Sequence, residues 1–261
     1  MIVYRVDTKE KITPEWIITA KARGEKIASL TAYDYPTARL LDEAGVPVLL
    51  VGDSLGMVVL GYPDTTEVKL EEIRHHVAAV ARAKTQALVV GDLPIHTYDC
   101  PETAVVSARV LIDAGAEAVK LEGGVEVVPE ISALRAAGIA VMAHIGMLPQ
   151  HVKEEGGYKI KGRSDEQKIQ LLADALAVEQ AGAFAIVMEL VEPELAREIS
   201  SKLRVPTIGI GSGKGCDGQI LVTHDLIGLF PWFRPKFAMV KADVASAIRG
   251  AAEAFIGEVK A

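Results

Sequence analysis

The sequence predicts an α/β chain folded as a single parallel (β/α)8 barrel, and three observations carry that prediction. Short apolar runs rich in Val, Ile and Leu recur without polar alternation, the pattern of parallel strands buried on both faces. Almost every run is followed by an amphipathic segment, so strands and helices alternate. Eight such strand segments fall within 261 residues, the size of a closed barrel. A doubly wound open sheet is the second reading of the same alternation.

The elements follow in order. "TPEWIITAKARG" reads as an extra N-terminal helix, expected to cover the barrel floor. "KIASLTAYD" is the first strand. "PTARLLDEAG" is a helix with Pro36 near its start and Gly45 past its end. "VPVLLVGD" is a strand, "TTEVKLEEIRHHVAAVARAK" a helix with an acidic start, and "ALVVGD" a strand. "PETAVVSARVLIDAG" is a helix, "EAVKLEGG" a strand and "VEVVPEISALRAAG" a helix. "IAVMAHIG", "AFAIVMEL" and "VPTIGIGSG" are strands, with helices "SDEQKIQLLADALAVEQAG" and "EPELAREISSKL" between them. "KFAMV" is expected as a weak eighth strand before the last helix, "ADVASAIRGAAEAFIGEV". No Pro/Ser-rich linker, charge block or low-complexity tract interrupts the pattern, so one domain over residues 1–261 is expected.

Composition narrows the class. Half the residues are apolar and 24% are charged, as in a globular protein with a sizeable core. The 28 basic residues are outnumbered by 35 acidic ones, which argues against a nucleic-acid surface. Cys100 and Cys216 form no CxxC pair, so neither a zinc ribbon nor a disulfide framework is indicated. "MIVYRVDTKEKITPEW" carries charges throughout, and no run of about 18 apolar residues follows, so neither a signal peptide nor a membrane span is expected. The expected setting is the reducing cytoplasm, without membrane or nucleic-acid partners.

Catalytic groups in such barrels sit at the C-terminal strand ends. Those positions hold Tyr33 and Asp34, Asp53 and Ser54, Asp92, Lys120 and Glu122, His144 and Glu189. From the second strand to the sixth, each delivers an ionisable group to one rim, which an apolar core does not require. Two like charges about 4 Å apart repel by roughly 4 kcal/mol at an effective dielectric near 20. Four acids facing one lysine are therefore protonated in part or neutralised by a cation. Oxygen donors without Cys select a hard ion, Mg2+ before Zn2+. On this reading the repeated Gly-Asp of "LLVGDS" and "LVVGDL" brings two carboxylates from adjacent strands to one metal.

Other readings stand beside these. An Asp after a strand also serves as the N-cap of the next helix. Lys120 and Glu122 share a strand face and could form a structural ion pair. His144 alone reads as a hydrogen-bonded structural histidine. His75 and His76 diverge on a helix and read as surface residues rather than a metal pair. Gly209, Gly211, Gly213 and Gly215 make neither a phosphate loop, because Lys214 precedes Gly215, nor a dinucleotide turn, because they come late in the chain. They read equally as a loop admitting a ligand and as a structural turn.

The segments "TAYDYPTA", "LLVGDSLGMVVLGYPDTTEV", "HHVAAVAR", "VVGDLP", "AVKLEGG", "HIGMLPQ", "GGYKIKGR", "AGAFAIVMELV" and "PTIGIGSGKGCDGQILVTHDLIG" occur in order between Ile27 and Phe237. Together they resemble the ketopantoate hydroxymethyltransferase (3-methyl-2-oxobutanoate hydroxymethyltransferase) family. The resemblance implies a TIM barrel of the phosphoenolpyruvate/pyruvate type, usually a homodecamer. It implies hydroxymethyl transfer from 5,10-methylenetetrahydrofolate to 3-methyl-2-oxobutanoate, giving ketopantoate for pantothenate biosynthesis. By the same resemblance, Asp53 and Asp92 are Mg2+ ligands, with Glu122 reaching the ion through water. Asp53, Ser54, Asp92 and Lys120 contact the 2-oxo acid, His144 lines its pocket, and Glu189 is the proton acceptor. The chain departs from the family pattern at Leu148, where threonine is usual, at His96, and in "AMVKADV" after Phe237.

Two other functions fit parts of this picture. A related Mg-dependent C–C lyase would carry a catalytic cysteine in a "KKCGH"-type loop, and neither Cys100 nor Cys216 lies in one. A non-catalytic barrel binding a 2-oxo acid would not need Glu189.

Overall fold

The structure is a computed structural model in which residues 10–261 are described. Two compact units divide the chain, one ending at Ile220 and the other spanning Leu221–Ala261. The first opens with helix α1, Pro14–Ala22, with Pro14 in its first turn and the Thr13 side chain accepting from Trp16 N. The strands are β1 (Ile27–Thr31), β2 (Val48–Val51), β3 (Leu88–Asp92), β4 (Ala118–Glu122), β5 (Val141–Gly146), β6 (Ala185–Glu189), β7 (Thr207–Ile210) and β8 (Gly218–Leu221). They pair in parallel, in chain order, as a closed barrel. Between them run α2 (Tyr35–Glu43), α3 (Leu70–Ala81), α4 (Pro101–Asp113), α5 (Val128–Ala136), α6 (Asp165–Ala181) and α7 (Pro193–Lys202).

The uniform apolar runs conceal a period of two. Leu49, Val51, Val89, Val119, Leu121, Ile145, Ile186 and Met188 point outward and pack with Ile73, Val77, Leu111, Ile131, Val178 and Ile199 of the helices. Ile27, Val48, Leu50, Leu88, Val90, Ala118, Met142, Ala185, Val187 and Ile208 form a separate inner cluster. The alternation carries the inward rows on to Asp92, to Lys120 and Glu122, to His144 and to Glu189. Each of these strands is thus apolar at the floor and ionisable at the mouth.

Helix α1 closes the floor, as the sequence suggests. Its Ile17 and Ala20 are fully buried in the inner cluster. Its Lys21 Nζ donates to the carbonyls of Ser200 and Val205 and pairs with Asp217 Oδ2 at 3.0 Å.

The eighth strand is not where the sequence reading puts it. "KFAMV" forms no strand; it follows Pro235, and Met239 within it is exposed. β8 is instead "GQIL", joined to β7 by a loop without a helix, so strict alternation fails once. Two features hide this strand. It is four residues long with Gln219 facing solvent, so no apolar run marks it. It also begins with Gly218, where a Cβ would stand 2.3 Å from the Ile27 carbonyl oxygen of β1, so closure of the barrel demands glycine. In the second unit, α8 (Thr223–Leu226) is one turn and α9 (Val244–Lys260) is long, with Ile248, Phe255, Ile256 and Val259 exposed.

Replacing Ile17 with Ala should leave a cavity beneath the barrel and destabilise it by about 2–5 kcal/mol. A urea unfolding midpoint unchanged from the parent protein would show that α1 does not seal the floor.

Candidate active site

The mouth is built from the ends of β2 to β6. In register, Asp92 of β3 lies beside Lys120 of β4, Glu122 beside His144 of β5, and Gly146 beside Glu189 of β6. Parallel strands thus turn sequence-distant residues into neighbours. Asp53 follows β2, and its backbone N donates to Asp92 Oδ2 at 3.1 Å. Asp53, Asp92, Lys120, Glu122, His144 and Glu189 are all buried.

Lys120 organises the charges. Its Nζ lies 2.8 and 2.9 Å from the two oxygens of Asp92 and 3.3 Å from Glu122 Oε1. Burial alone would lower the lysine's pKa, but Asp92, Glu122 and Asp53 together hold it well above the ordinary value. For Asp92, burial outweighs Lys120 and raises the carboxyl. For Asp53, burial and the neighbouring Asp92 raise it further, although Gln150 donates to its Oδ2 at 2.9 Å. Glu122 behaves oppositely: against burial, Lys120, His144 and the Gln150 backbone N–H bring its pKa down to about 2. Glu189 lacks a lysine at contact distance, and burial and Glu122 push its pKa up to about 8.

His144 stands between the two glutamates. Its Nδ1 is 3.3 Å from Glu122 Oε1 and its Nε2 is 3.6 Å from Glu189 Oε2. Neither nitrogen makes an aligned hydrogen bond, although both are buried. Its ring is thus flanked by a glutamate on either side. Ser54 is half-buried, and its Oγ lies 2.8 Å from Tyr33 OH.

Of the two Gly-Asp acids weighed as helix caps, Asp53 has its Oδ2 accepting from the Gln150 amide. It is Asp34, outside that pair, that caps a helix, its Oδ1 accepting from Thr37 N at the start of α2. The cap reading does not hold for Asp92, which turns its carboxylate to Lys120 and to the backbone of Asp53. The surface reading of the histidine pair holds for His75 only. His76 is half-buried, with Nδ1 2.6 Å from the Tyr33 carbonyl oxygen. The glycine run reads as a structural turn: Ser212 inside it is fully buried, its Oγ donating to the Met188 carbonyl and accepting from Val191 N.

Sequence reasoning missed Gln150 and Tyr98. Gln150 is buried among Asp53, Glu122 and Tyr98. The only signal is its place at the end of "HIGMLPQ", where nothing in the residue type announces a role. Among the departures from the family pattern, Leu148 is half-buried, and His96 is exposed with φ +66°.

No three acidic, His or Cys side chains among the described residues stand ready as a metal cage. The donor set nevertheless fits a hard dication. Asp53 and Asp92 are adjacent, all the donors are oxygen, and four carboxyl groups face one ammonium. Mg2+ commonly takes one or two carboxylates and completes its sphere with water and substrate. Asp53 and Asp92 would hold it, with Glu122 beside them.

A family model described as ketopantoate hydroxymethyltransferase matches residues 11–261. The 3-methyl-2-oxobutanoate hydroxymethyltransferase of Caldivirga maquilingensis is 54% identical over 97% of this chain and 95% of its own length. That of Chloroflexus aurantiacus is 52% identical over 96% and 89%. The solved structure of 2,3-dimethylmalate lyase, a member of the PEP mutase/isocitrate lyase superfamily, superposes with a TM-score of 0.61 at 18% identity, covering 95% of this chain and 87% of that one. It shares the barrel.

The elevated carboxyl of Glu189 links stability to pH. Its proton stays bound in the folded state from the ordinary glutamate range up to about 8. The stabilisation from that bound proton is full below the unfolded pKa and is lost as pH rises through about 8. Glu189→Gln should therefore raise the melting temperature measured in EDTA by several degrees at pH 9 and leave it nearly unchanged at pH 4. Equal effects at both pH values would show that the carboxyl is not shifted.

Proposed function

The chain belongs to the ketopantoate hydroxymethyltransferase family, and from that premise we propose how its barrel mouth moves a hydroxymethyl group onto 3-methyl-2-oxobutanoate. The observation that carries the mechanism is the contrast between two glutamates of one mouth, Glu122 held ionised by Lys120 and Glu189 held near neutrality by burial. Environments that drive two acids apart in this way suit them to different tasks.

Glu189 is the base that takes the C3 proton of the 2-oxo acid, and a pKa near the working pH suits that role. Lys120 offsets the charge that develops on the substrate as the proton leaves. Ser54 and the two aspartates orient the oxo acid. The buried nitrogens of His144, lacking aligned partners, offer a donor to the substrate on the Glu189 side. Bound at Asp53 and Asp92, Mg2+ supplies Lewis-acid polarisation of the 2-oxo group. The one-carbon donor is 5,10-methylenetetrahydrofolate: water cleaves both C–N bonds of its methylene bridge, releasing tetrahydrofolate and a one-carbon unit at the formaldehyde level. The C3 carbanion adds to that carbon while the proton held by Glu189 returns to the new alkoxide, giving the hydroxymethyl group. The lyase and the non-catalytic barrel lose their ground to the family membership. In addition, Cys216 is buried rather than presented to a substrate.

The described residues include no helix long and apolar enough to cross a membrane. The exposed apolar side chains of α9 support the homo-oligomer expected of the family. Light scattering on the purified chain is expected to give a decamer, and a monomer at micromolar concentration would contradict it.

Purified protein should form ketopantoate from 3-methyl-2-oxobutanoate and methylenetetrahydrofolate, and EDTA should abolish the reaction. Glu189→Gln should still bind the oxo acid, while exchange of its C3 proton with D2O falls by about 10²–10⁴. Exchange at the parent rate would remove Glu189 as the base.

A further inference from the structure

We propose that Gln150 is a positioning residue for Asp53: its amide fixes which oxygen of that aspartate is left for the cation and the oxo acid. The inference rests on the metal reading of the mouth given above, and it concerns a residue that takes no part in the proton transfer.

Gln150 lies in a short turn, Pro149–His151, just beyond β5. From there it reaches the ends of the three preceding strands. Its backbone N donates to Glu122 Oε2 of β4 at 3.1 Å. Its Nε2 donates to the Leu93 carbonyl after β3 at 3.0 Å, and to Asp53 Oδ2 after β2 at 2.9 Å. Its Oε1 accepts from Tyr98 OH at 2.5 Å. Gln150 is 1% exposed and Tyr98 8%, so water does not substitute for these bonds.

The chemistry of the amide sets the direction of every bond. A primary amide has two donors on nitrogen and an acceptor on oxygen. Reversing it would aim Oε1 at a carboxylate and a carbonyl, both acceptors, at a buried position. Tyr98 favours the observed orientation by offering its phenolic proton to Oε1. That phenol is a dependable donor, because burial and Glu122 raise its pKa. With Oδ2 engaged by the amide, Asp53 Oδ1 accepts no hydrogen bond from the described residues. One oxygen is thereby tethered and the other left unengaged. Partners of this kind, one bond removed from a ligand, are worth about 10–100-fold in metal affinity.

A purely structural brace would behave differently: its loss would lower stability without changing the affinity of the molecules that remain folded. The test titrates Mn2+ alone into the full chain and follows water-proton relaxation, with circular dichroism to count the folded fraction. Gln150→Met should weaken Mn2+ binding roughly tenfold to a hundredfold. Tyr98→Phe keeps the ring and should weaken it less. The double variant should bind no worse than Gln150→Met, since Tyr98 acts through the amide. If Gln150→Met does not fold, the loss in Tyr98→Phe decides. Parent affinity in the folded variants would overturn the proposal, as would losses that add in the double variant. Failure of the parent chain itself to bind Mn2+ would overturn the metal reading first, and this inference with it.

Discussion

Four carboxyl groups share one buried mouth with a single ammonium, and the properties of the site follow from that imbalance. Lys120 favours ionisation of all four acids, but it outweighs burial only at Glu122, where His144 and the Gln150 backbone N–H assist it. It spends both short contacts on Asp92 and its longer one on Glu122. Asp53 and Glu189 are left with burial unopposed by a close cation, and both shift upward. Such an arrangement is poor for stability, since buried charge without a partner is costly. It suits a site that takes in a dication with an oxo acid and needs a base near neutrality.

The barrel makes this arrangement possible by dividing each inner row. Below, Leu88, Val90, Ala118, Met142 and Val187 pack as an apolar plug sealed by Ile17. Above, the same rows end in charge. The backbone is held tightly around Glu189. Met147 N donates to the Glu189 carbonyl at 2.8 Å, and a Cβ on Gly146 would come within 2.4 Å of that oxygen. The next residue, Leu190, has φ +48°, and the Ser212 hydroxyl spans it by bonding both Met188 and Val191. A left-handed leucine survives only where its surroundings determine it. The position of Glu189 is therefore set by β5, β6 and the β7 loop together.

Much of this was legible in the sequence. Seven of the eight strands fall in the apolar-rich segments of the sequence, and most of these, though not β1, are buried on both faces. The rim acids were legible because an ionisable residue ending an apolar run stands out, as Asp53, Asp92 and Glu189 do. β8 was not legible: its pairing is decided by closure against β1, a long-range constraint that selects Gly218 for lack of a side chain. "KFAMV" has the composition of a strand without the neighbours to make it one. Gln150 was hidden for another reason. Its importance lies in the direction of its hydrogen bonds, and an amide in a turn gives no signal of that in one dimension.

The central claim is that Asp53 and Asp92 converge on a divalent cation beside a bound oxo acid, with Glu189 facing it across the mouth. Anomalous diffraction from crystals grown with Mn2+ and 3-methyl-2-oxobutanoate tests it most directly. The expected map has one strong peak within coordination distance of both aspartates and of two substrate oxygens, with the substrate C3 turned towards Glu189. A substrate bound in the mouth with no peak between the aspartates would contradict the account.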